Sequence, residues 1–209
     1  MVSTILKNEI MNIWLTSDTH FAHTNIAGPK VSTWKAGYRN FNSVQEMNET
    51  MVTNINNCVK EDDILYHLGD WSFGGAHQIY YFRKALICKN IHLIKGNHDE
   101  HIVDKSIALR EPGLSSFNPI ELFTSIDNVF TGYIGKTYFH LSHYSHRVWP
   151  KSHKGGIHLF GHSHNSLTGE LGKSMDVGLD SHPEFRPFHI NEILQIMDKK
   201  VTTSVDHHG

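Results

Sequence analysis

The chain has 209 residues, of which 39% are hydrophobic and 19% are charged, and its formal net charge is −2. These values favour one compact domain over residues 1–209, with residues 1–10 and 203–209 as flexible tails. The charge gives no global attraction for nucleic acid or an anionic membrane, and no apolar run is long enough to predict a transmembrane helix. The N-terminus lacks a secretory layout and the chain has only two cysteines, so a reducing, cytoplasmic compartment is expected.

Histidine is the one residue type with an unusual count, at 18. Neutral imidazole is a common protein ligand for first-row metals, so the count is compatible with a metal site. A compositional bias would explain the number equally well. The positions of the histidines must therefore decide between these interpretations.

The first half of the chain predicts alternating strands and helices. Short apolar runs predict strands at 13–16, 64–68 and 91–94. A capping-box pattern that begins at Ser43 predicts a helix between the first two strands, and helical spacing at 79–86 predicts another helix between the second and third. This order indicates a βαβ arrangement with parallel strands.

The second half of the chain is richer in strands. Residues from about 111 to 130 contain two prolines and are assigned no element. Strands are predicted at 137–141 and 157–160, and a last pair of elements at 174–178 and from 188 onward. Together the two halves predict an α/β fold with mixed β-sheets.

Polar motifs directly follow five of these strand-like runs. Functional groups gather beyond the carboxyl ends of strands in α/β sheets, so the five motifs can converge on one place. Their side chains offer carboxylate, amide and imidazole ligands without thiolate, a set that suits Mn, Fe, Zn or Ni. Each motif alone is also compatible with residues that simply form a turn. Five such motifs in this order favour a functional site. They are Asp18-Thr19-His20, Gly69-Asp70, Gly96-Asn97-His98-Asp99, His143 and Gly161-His162-Ser163-His164.

The motifs supply more ligands than one ion needs. The pairs Asp18/His20 and His162/His164 are two residues apart, and in an extended segment such side chains point to the same face. The whole set suits two ions about 3.5–4 Å apart that share one carboxylate. The seven candidate ligands are Asp18, His20, Asp70, Asn97, His143, His162 and His164.

This ordered set of motifs resembles that of the calcineurin-like metallophosphoesterases, and the run 176–180 resembles the segment that follows it in small phage and bacterial members. The resemblance implies a four-layer α/β/β/α sandwich with two mixed β-sheets and two metal ions at the sheet edge. His143 is preferred to its neighbours His140 and His146 because it lies just past the strand. The resemblance implies that Asp18, His20 and His164 hold one ion, that Asn97, His143 and His162 hold the other, and that Asp70 bridges them.

The resemblance also implies an activity, the hydrolysis of a phosphodiester or phosphomonoester by a hydroxide that two divalent metals, with Mn favoured, activate. His98 follows a ligand but does not bind metal in the family pattern, so it is predicted to stabilise charge or to protonate the leaving oxygen. Asp99 is predicted to orient His98 and raise its pKa. His23, Asn25 and Arg39 are candidate substrate contacts, with a role in loop structure or on a solvated face as the alternative.

Three functions remain open at this point. A small nucleotide-like substrate is favoured, and neither a membrane partner nor an oligomeric state is predicted. A nuclease or nucleic-acid end-processing phosphatase is possible but disfavoured, because the chain has no basic surplus. A non-catalytic metal-binding scaffold is the third alternative, which the complete ligand set disfavours.

The remaining histidines and the tryptophans receive structural assignments. His67, His92 and His158 fall inside apolar strands and are expected in the core. The tryptophans are also expected in the core rather than as stacking surfaces for bases, although Trp71 adjoins a candidate ligand. A surface position is expected for His77, His101, His153, His182 and His189.

Overall fold

The computed structural model describes residues 12–103, 119–169 and 171–202, so the expected tails at 1–10 and 203–209 lie outside the described residues. In these ranges the strands are β1 (Ile13–Thr16), β2 (Ile64–His67), β3 (Asn90–Ile94), β4 (Ser125–Asp127), β5 (Val129–Ile134), β6 (Thr137–Ser142), β7 (Ile157–Phe160), β8 (Ser174–Asp176) and β9 (Phe188–His189). The helices are α1 (Thr24–Ala27), α2 (Val44–Cys58), α3 (Ala76–Ala85), α4 (Glu100–Val103) and α5 (Ile190–Asp198).

The strands form two mixed sheets. The first sheet has the order β4-β3-β2-β1-β9, in which β1 to β4 are parallel and β9 is antiparallel to β1. The second has the order β5-β6-β7-β8, in which only β5 runs antiparallel to its neighbour. The predicted α/β sandwich with two mixed sheets is therefore confirmed, and so are the parallel strands of the βαβ units.

Helix α2 begins where the capping pattern predicts. The Ser43 hydroxyl accepts a hydrogen bond from the Glu46 backbone N–H at 3.1 Å. The Glu46 carboxylate accepts its own bond from the Asn42 N–H at 2.8 Å, one residue earlier than a capping box requires. The helix then buries Met47, Met51 and Ile55. These side chains belong to the apolar cluster between the helices and the first sheet, which includes Leu65, Ile79 and Ile91.

A second apolar cluster lies between the two sheets. It joins Leu15 of β1 to Phe139 of β6 and Leu159 of β7, all wholly buried. Helix α5 adds Ile193 and Met197 to the same cluster. This packing fixes the two sheets against each other, so loops from both can build one site.

The structure also corrects several sequence-based assignments. The segment left without elements contains β4 and the start of β5, which add an edge strand to each sheet. His182, expected at the surface, is buried with its ring 4.6 Å from that of Phe188. Trp34, expected in the core, is 45% exposed. Among the residues that the structure describes, none of the helices combines the length and hydrophobicity that crossing a bilayer requires.

His158 of β7 is a buried histidine with a defined protonation state. Its Nε2 accepts a hydrogen bond from the His146 N–H at 2.9 Å, and its Nδ1 donates to the His140 carbonyl at 3.1 Å. The ring is therefore neutral, because Nε2 cannot accept a bond and carry a proton together. Burial lowers the pKa of His158 from 6.5 to about 3.

Acidification is therefore expected to reduce stability through His158. The folded-state pKa is below that of the unfolded chain, so the unfolded chain binds the proton first. The stabilisation is complete above pH 6.5 and is lost as the pH falls towards 3. At pH 5 the loss is about 2 kcal/mol in the free energy of unfolding. Urea denaturation of the metal-free protein at several pH values measures it. His158→Gln should show a smaller fall, and equal falls in both proteins would contradict the assignment.

Candidate metal centre

The loops that follow β1, β2, β3, β6 and β7 bring the seven predicted ligands together. The first sheet supplies Asp18, His20, Asp70 and Asn97, and the second supplies His143, His162 and His164. Backbone hydrogen bonds join neighbouring loops: the Asp18 N–H donates to the Gly69 carbonyl at 2.9 Å, and the Gly161 N–H donates to the His143 carbonyl at 2.9 Å. The convergence predicted from the strand ends is thus what the fold produces.

Asp18, His20 and His164 form the first ligand group, with one ligand atom each within 4.8 Å of the others. The Nε2 atoms of His20 and His164 are 3.1 Å apart. Asp18 Oδ1 is 3.7 Å from His20 Nε2 and 3.8 Å from His164 Nε2. Ligands that share one ion at about 2.0–2.2 Å lie roughly 3–3.5 Å from each other. These three side chains therefore need only small movements to hold a cation.

Asp70, His143 and His162 form the second group. His143 Nε2 lies 3.5 Å from Asp70 Oδ2 and 3.1 Å from Asn97 Oδ1, so the amide oxygen of Asn97 belongs to the same cluster. His143 Nδ1 donates to the Leu68 carbonyl at 2.8 Å. A ring that donates from Nδ1 has its Nε2 lone pair free for a metal.

Asp70 connects the two groups. Its Oδ2 is 3.5 Å from His20 Nε2 in the first group and 3.5 Å from His143 Nε2 in the second. Its other oxygen, Oδ1, accepts a hydrogen bond from the His98 backbone N–H at 2.9 Å. Asp70 therefore turns one oxygen towards both groups at once, an arrangement in which a carboxylate can bridge two ions.

An unpaired oxygen in the first group indicates that a cation fits there. Asp18 is wholly buried, and its Oδ1 has no hydrogen-bond partner among the described residues. Its Oδ2 accepts bonds from the His162 N–H at 2.8 Å and from the Ser17 hydroxyl. A buried carboxylate oxygen without a partner is unfavourable, and a metal ion at Oδ1 would remove that penalty.

The electrostatics of the site favour positive charge. Burial alone would lower the pKa of His143, but the Asp70 carboxylate 3.5 Å from its Nε2 raises it to about 9. Burial raises the pKa of the Asp18 carboxyl, yet the nearby His20 and the charges of the other surrounding histidines bring it below its usual value. Burial lowers the pKa of His20 and of His162, which favours the neutral imidazole that binds metal. The carboxylates are therefore ionised and turned towards imidazoles, as a cation site requires.

Left-handed backbone is concentrated at these ligands. Non-glycine residues rarely adopt positive φ, and such conformations collect at functional sites. The two-residue spacing of the motifs was expected to act through extended segments, and this was wrong. The chain instead turns at both pairs: Asp18 and His20 still share the first group, as expected, whereas His162 reaches the second group and His164 the first. The φ values are 55° at Asp18, 47° at His20, 58° at Asp70, 67° at His162 and 46° at His164.

Glycines in the motifs allow the loops to approach closely. A Cβ at Gly96 would lie 2.2 Å from Asp70 Oδ1, and one at Gly161 would lie 1.8 Å from the Ser17 hydroxyl oxygen. Any side chain at these positions would displace the neighbouring ligand loop. The two glycines are thus part of the ligand geometry.

The structure corrects the role predicted for Asp99. Its Oδ2 accepts hydrogen bonds from the backbone N–H groups of Asp70 and Gly96, both at 2.8 Å, and its Oδ1 accepts one from Trp71 at 2.9 Å. The carboxylate is wholly buried and engaged by these donors, so it does not orient His98. Asp99 instead ties the loop after β2 to the loop after β3.

Arg39 also has a different role from the predicted substrate contact. Its Nε and Nη2 donate to the two carboxylate oxygens of Asp180, both at 2.8 Å. Nη2 also donates to the Asp18 carbonyl at 2.6 Å, and Nη1 donates to the Thr19 carbonyl at 3.1 Å. The Arg39 side chain is 5% exposed. Arg39 therefore holds the loop that carries Asp18 and His20 by hydrogen bonds to its backbone carbonyls.

Asp180 is a functional residue that the sequence analysis did not assign. Its Oδ2 accepts a hydrogen bond from His164 Nδ1 at 2.7 Å, which fixes the ring with Nε2 towards the first group. Burial lowers the pKa of His164, but this hydrogen bond raises it above its ordinary value. The signal was present in the sequence, because Asp180 ends the run 176–180 that resembles the family segment.

Asp180→Asn is expected to weaken metal binding at the first group by about 10- to 100-fold, since loss of such an orienting partner has effects of that size. The carboxylate charge near His164 and Arg39 disappears, while the side-chain shape is kept. A competitive titration that resolves two binding steps measures the change. The second group has no hydrogen bond to Asp180 among the described residues, so an equal loss in both steps would contradict this role.

Two of the other predicted residues line a cavity of about 450 Å³ beside the ligands, and the third, Asn25, does not. His98 is exposed and lines it, and so does His23, whose ring stacks on Phe73 at 3.8 Å. The side-chain oxygen of Asn25 accepts hydrogen bonds from the Thr33 N–H at 2.9 Å and from the Thr33 hydroxyl at 3.0 Å. Asn25 therefore has the alternative role in loop structure and not that of a substrate contact.

Tyr144 is a second residue that the sequence analysis missed. Its hydroxyl donates to Asn97 Oδ1 at 3.2 Å, and its ring lies 4.6 Å from that of His162. It is 49% exposed beside the second ligand group. No pattern in the sequence separates it from the other tyrosines, because its position depends on contacts between distant loops.

Several known proteins resemble this chain in sequence or in fold. A family model for calcineurin-like phosphoesterases matches residues 11–180. An uncharacterised protein of Methanocaldococcus jannaschii is 41% identical to this chain over 90 residues. These residues are 42% of this chain and 47% of that protein, so the match spans about half of the relative's length. A protein of unknown function from Aquifex aeolicus has a similar fold, with a TM-score of 0.61 at 20% identity over 89% of this chain and 99% of that one. A novel archaeal phosphodiesterase is more distant, with a TM-score of 0.44 at 22% identity over 80% and 84% of the two chains.

Proposed function

Because this chain belongs to the calcineurin-like phosphoesterase family, we propose that it is a metal-dependent hydrolase of a small phosphodiester or phosphomonoester. The observation that carries the proposal is the shared position of Asp70, whose Oδ2 lies 3.5 Å from a histidine of each ligand group. Oxygen and imidazole ligands of this kind suit Mn, Fe, Zn or Ni, and Mn is our preferred choice.

Each residue of the site then has a defined task. Two divalent cations, when bound, supply a water of lowered pKa and neutralise charge on the phosphoryl group. Asp18, His20 and His164 would hold one cation, Asn97, His143 and His162 would hold the other, and Asp70 would serve both. His98 is not a member of either group, and its exposed ring lies 5.6 Å from that of His20. We infer that it donates a proton to the leaving oxygen.

The surroundings of the site favour a small substrate. The cavity of about 450 Å³ matches a ligand of nucleotide size, and its wall includes few cationic groups apart from the histidines and the engaged Arg39. The net charge of −2 supplies no broad attraction for a nucleic-acid backbone. We therefore favour a nucleotide-like ester over a nucleic-acid end.

Turnover of nitrophenyl esters with and without Mn²⁺ tests this function. The protein is stripped with EDTA and reloaded, and hydrolysis of bis(4-nitrophenyl) phosphate and 4-nitrophenyl phosphate is followed. We expect turnover of at least one ester that requires Mn²⁺ and is lost in His162→Ala. The control His77→Ala removes an exposed histidine on α3 and should behave as the parent. A protein that binds two metal ions and hydrolyses neither ester would be a metal-binding scaffold instead.

A further inference from the structure

Trp34 is an exposed aromatic residue beside the metal centre. It lies in the loop between α1 and α2, is 45% exposed and lines the same cavity as His20, His98 and His164. Exposure of a single aromatic residue is ordinary, but a tryptophan that lines a cavity beside a metal centre offers a large flat surface to a ligand bound there.

The Trp34 ring is the exposed end of a row of aromatic rings beside the metal ligands, which consists of Trp34, His23, Phe73 and His98. Its centroid is 5.2 Å from that of His23, which stacks on Phe73 at 3.8 Å with an interplanar angle of 26°. Phe73 in turn lies 4.7 Å from His98. The row of rings therefore runs from His98, the proposed proton donor, to the exposed indole of Trp34.

Hydrogen bonds hold the Trp34 loop in place. Thr33 donates twice to the Asn25 side chain, and the Trp34 N–H donates to the Ser32 hydroxyl at 3.0 Å. At the other end of the loop, the Phe41 N–H donates to the Ala27 carbonyl at 2.9 Å. A surface that is already ordered loses less conformational entropy when a ligand binds.

We propose that Trp34 stacks on the nucleobase of a small nucleotide whose phosphoryl group lies at the metal centre. This inference rests on the proposed function and specifies its substrate class. A phosphate ester needs the metal end of the cavity, and the indole at the other end offers a flat apolar face that suits a planar base. Base stacking on an aromatic side chain is tolerant of base identity, so the site would accept several nucleotides.

Binding of adenosine 5′-monophosphate and ribose 5-phosphate to the Mn²⁺-loaded protein tests this proposal. The two compounds carry the same phosphate ester and differ by the base. We expect adenosine 5′-monophosphate to bind about tenfold more tightly in calorimetric titrations, as one stacked base allows. If the protein hydrolyses these compounds, the ratio of their KM values replaces the ratio of dissociation constants. Equal binding of the two compounds would overturn the proposal.

Variants separate stacking from a structural role of Trp34. In Trp34→Ala the preference for the nucleotide should disappear, with ribose 5-phosphate binding unchanged, whereas Trp34→Phe should keep most of it. Tyr133→Ala removes an aromatic ring that is 61% exposed outside this cavity and should have no effect. A Trp34→Ala protein that still prefers the nucleotide would refute the assignment.

The two proposals fail in different ways. Hydrolysis of nitrophenyl esters without discrimination between nucleotide and ribose 5-phosphate would remove the stacking role alone. Tight nucleotide binding through Trp34, without hydrolysis of any ester, would remove the enzymatic function alone.

Discussion

Asp70→Asn is expected to lower kcat by at least about a thousandfold and to leave the protein with fewer than two bound metal ions. Asp70 presents one oxygen to ligands of both groups, at 3.5 Å from His20 and His143, so its charge would serve both cations. An amide keeps the shape but removes the negative charge that neutralises them. A thousandfold loss corresponds to about 4 kcal/mol of transition-state stabilisation.

Steady-state kinetics and metal analysis of the same preparation measure this result. Asp62→Asn is the matched control, because it makes the same change at an exposed carboxylate after α2. An Asp70→Asn protein with two bound ions and nearly full turnover would show that no shared carboxylate is needed.

His98→Ala is expected to lower turnover by about 10²- to 10⁴-fold for esters with poor leaving groups, the usual contribution of a general acid. The side chain is exposed and outside both ligand groups, so the metal content should not change. Esters of nitrophenol, whose leaving group needs little protonation, should lose much less.

A series of esters from nitrophenol to unsubstituted phenol distinguishes the possible roles of His98. A proton donor makes the loss in kcat/KM grow steadily along the series. A uniform loss would instead indicate charge stabilisation or substrate positioning. His77→Ala on α3 again serves as the control for histidine removal.

The ligand motifs were predictable because each follows a strand directly. An apolar run ends, a polar motif begins, and parallel strands end at the same edge of the sheet. This reasoning needs only the positions of the strand ends. It therefore predicted that Asp70 and His143 belong to the same site, although they lie far apart in sequence. The resemblance added the division of ligands between the ions, which agrees with the two groups in the structure.

The roles of the surrounding charged residues could not be predicted in the same way. Asp99 adjoins His98, and Arg39 lies in the loop before α2, but neither position in the sequence tells which groups the side chain contacts. The fold decides this: both side chains are buried and their polar atoms are engaged by neighbouring loops, although Arg39 also lines the cavity. Trp34 was misassigned for the converse reason, because an aromatic residue in a long loop is buried only if another element covers it.

Each ligand group takes residues from both sheets, so bound ions would act as cross-links between the two halves of the fold. Asp18 and His20 meet His164 across the sandwich, and Asp70 meets His143 in the same way. Ion binding at a concentration a hundredfold above the dissociation constant adds about 2.7 kcal/mol of stability per site. A cell short of the metal would then contain a form of the protein that is less resistant to proteolysis, and abundance as well as turnover would follow the metal supply.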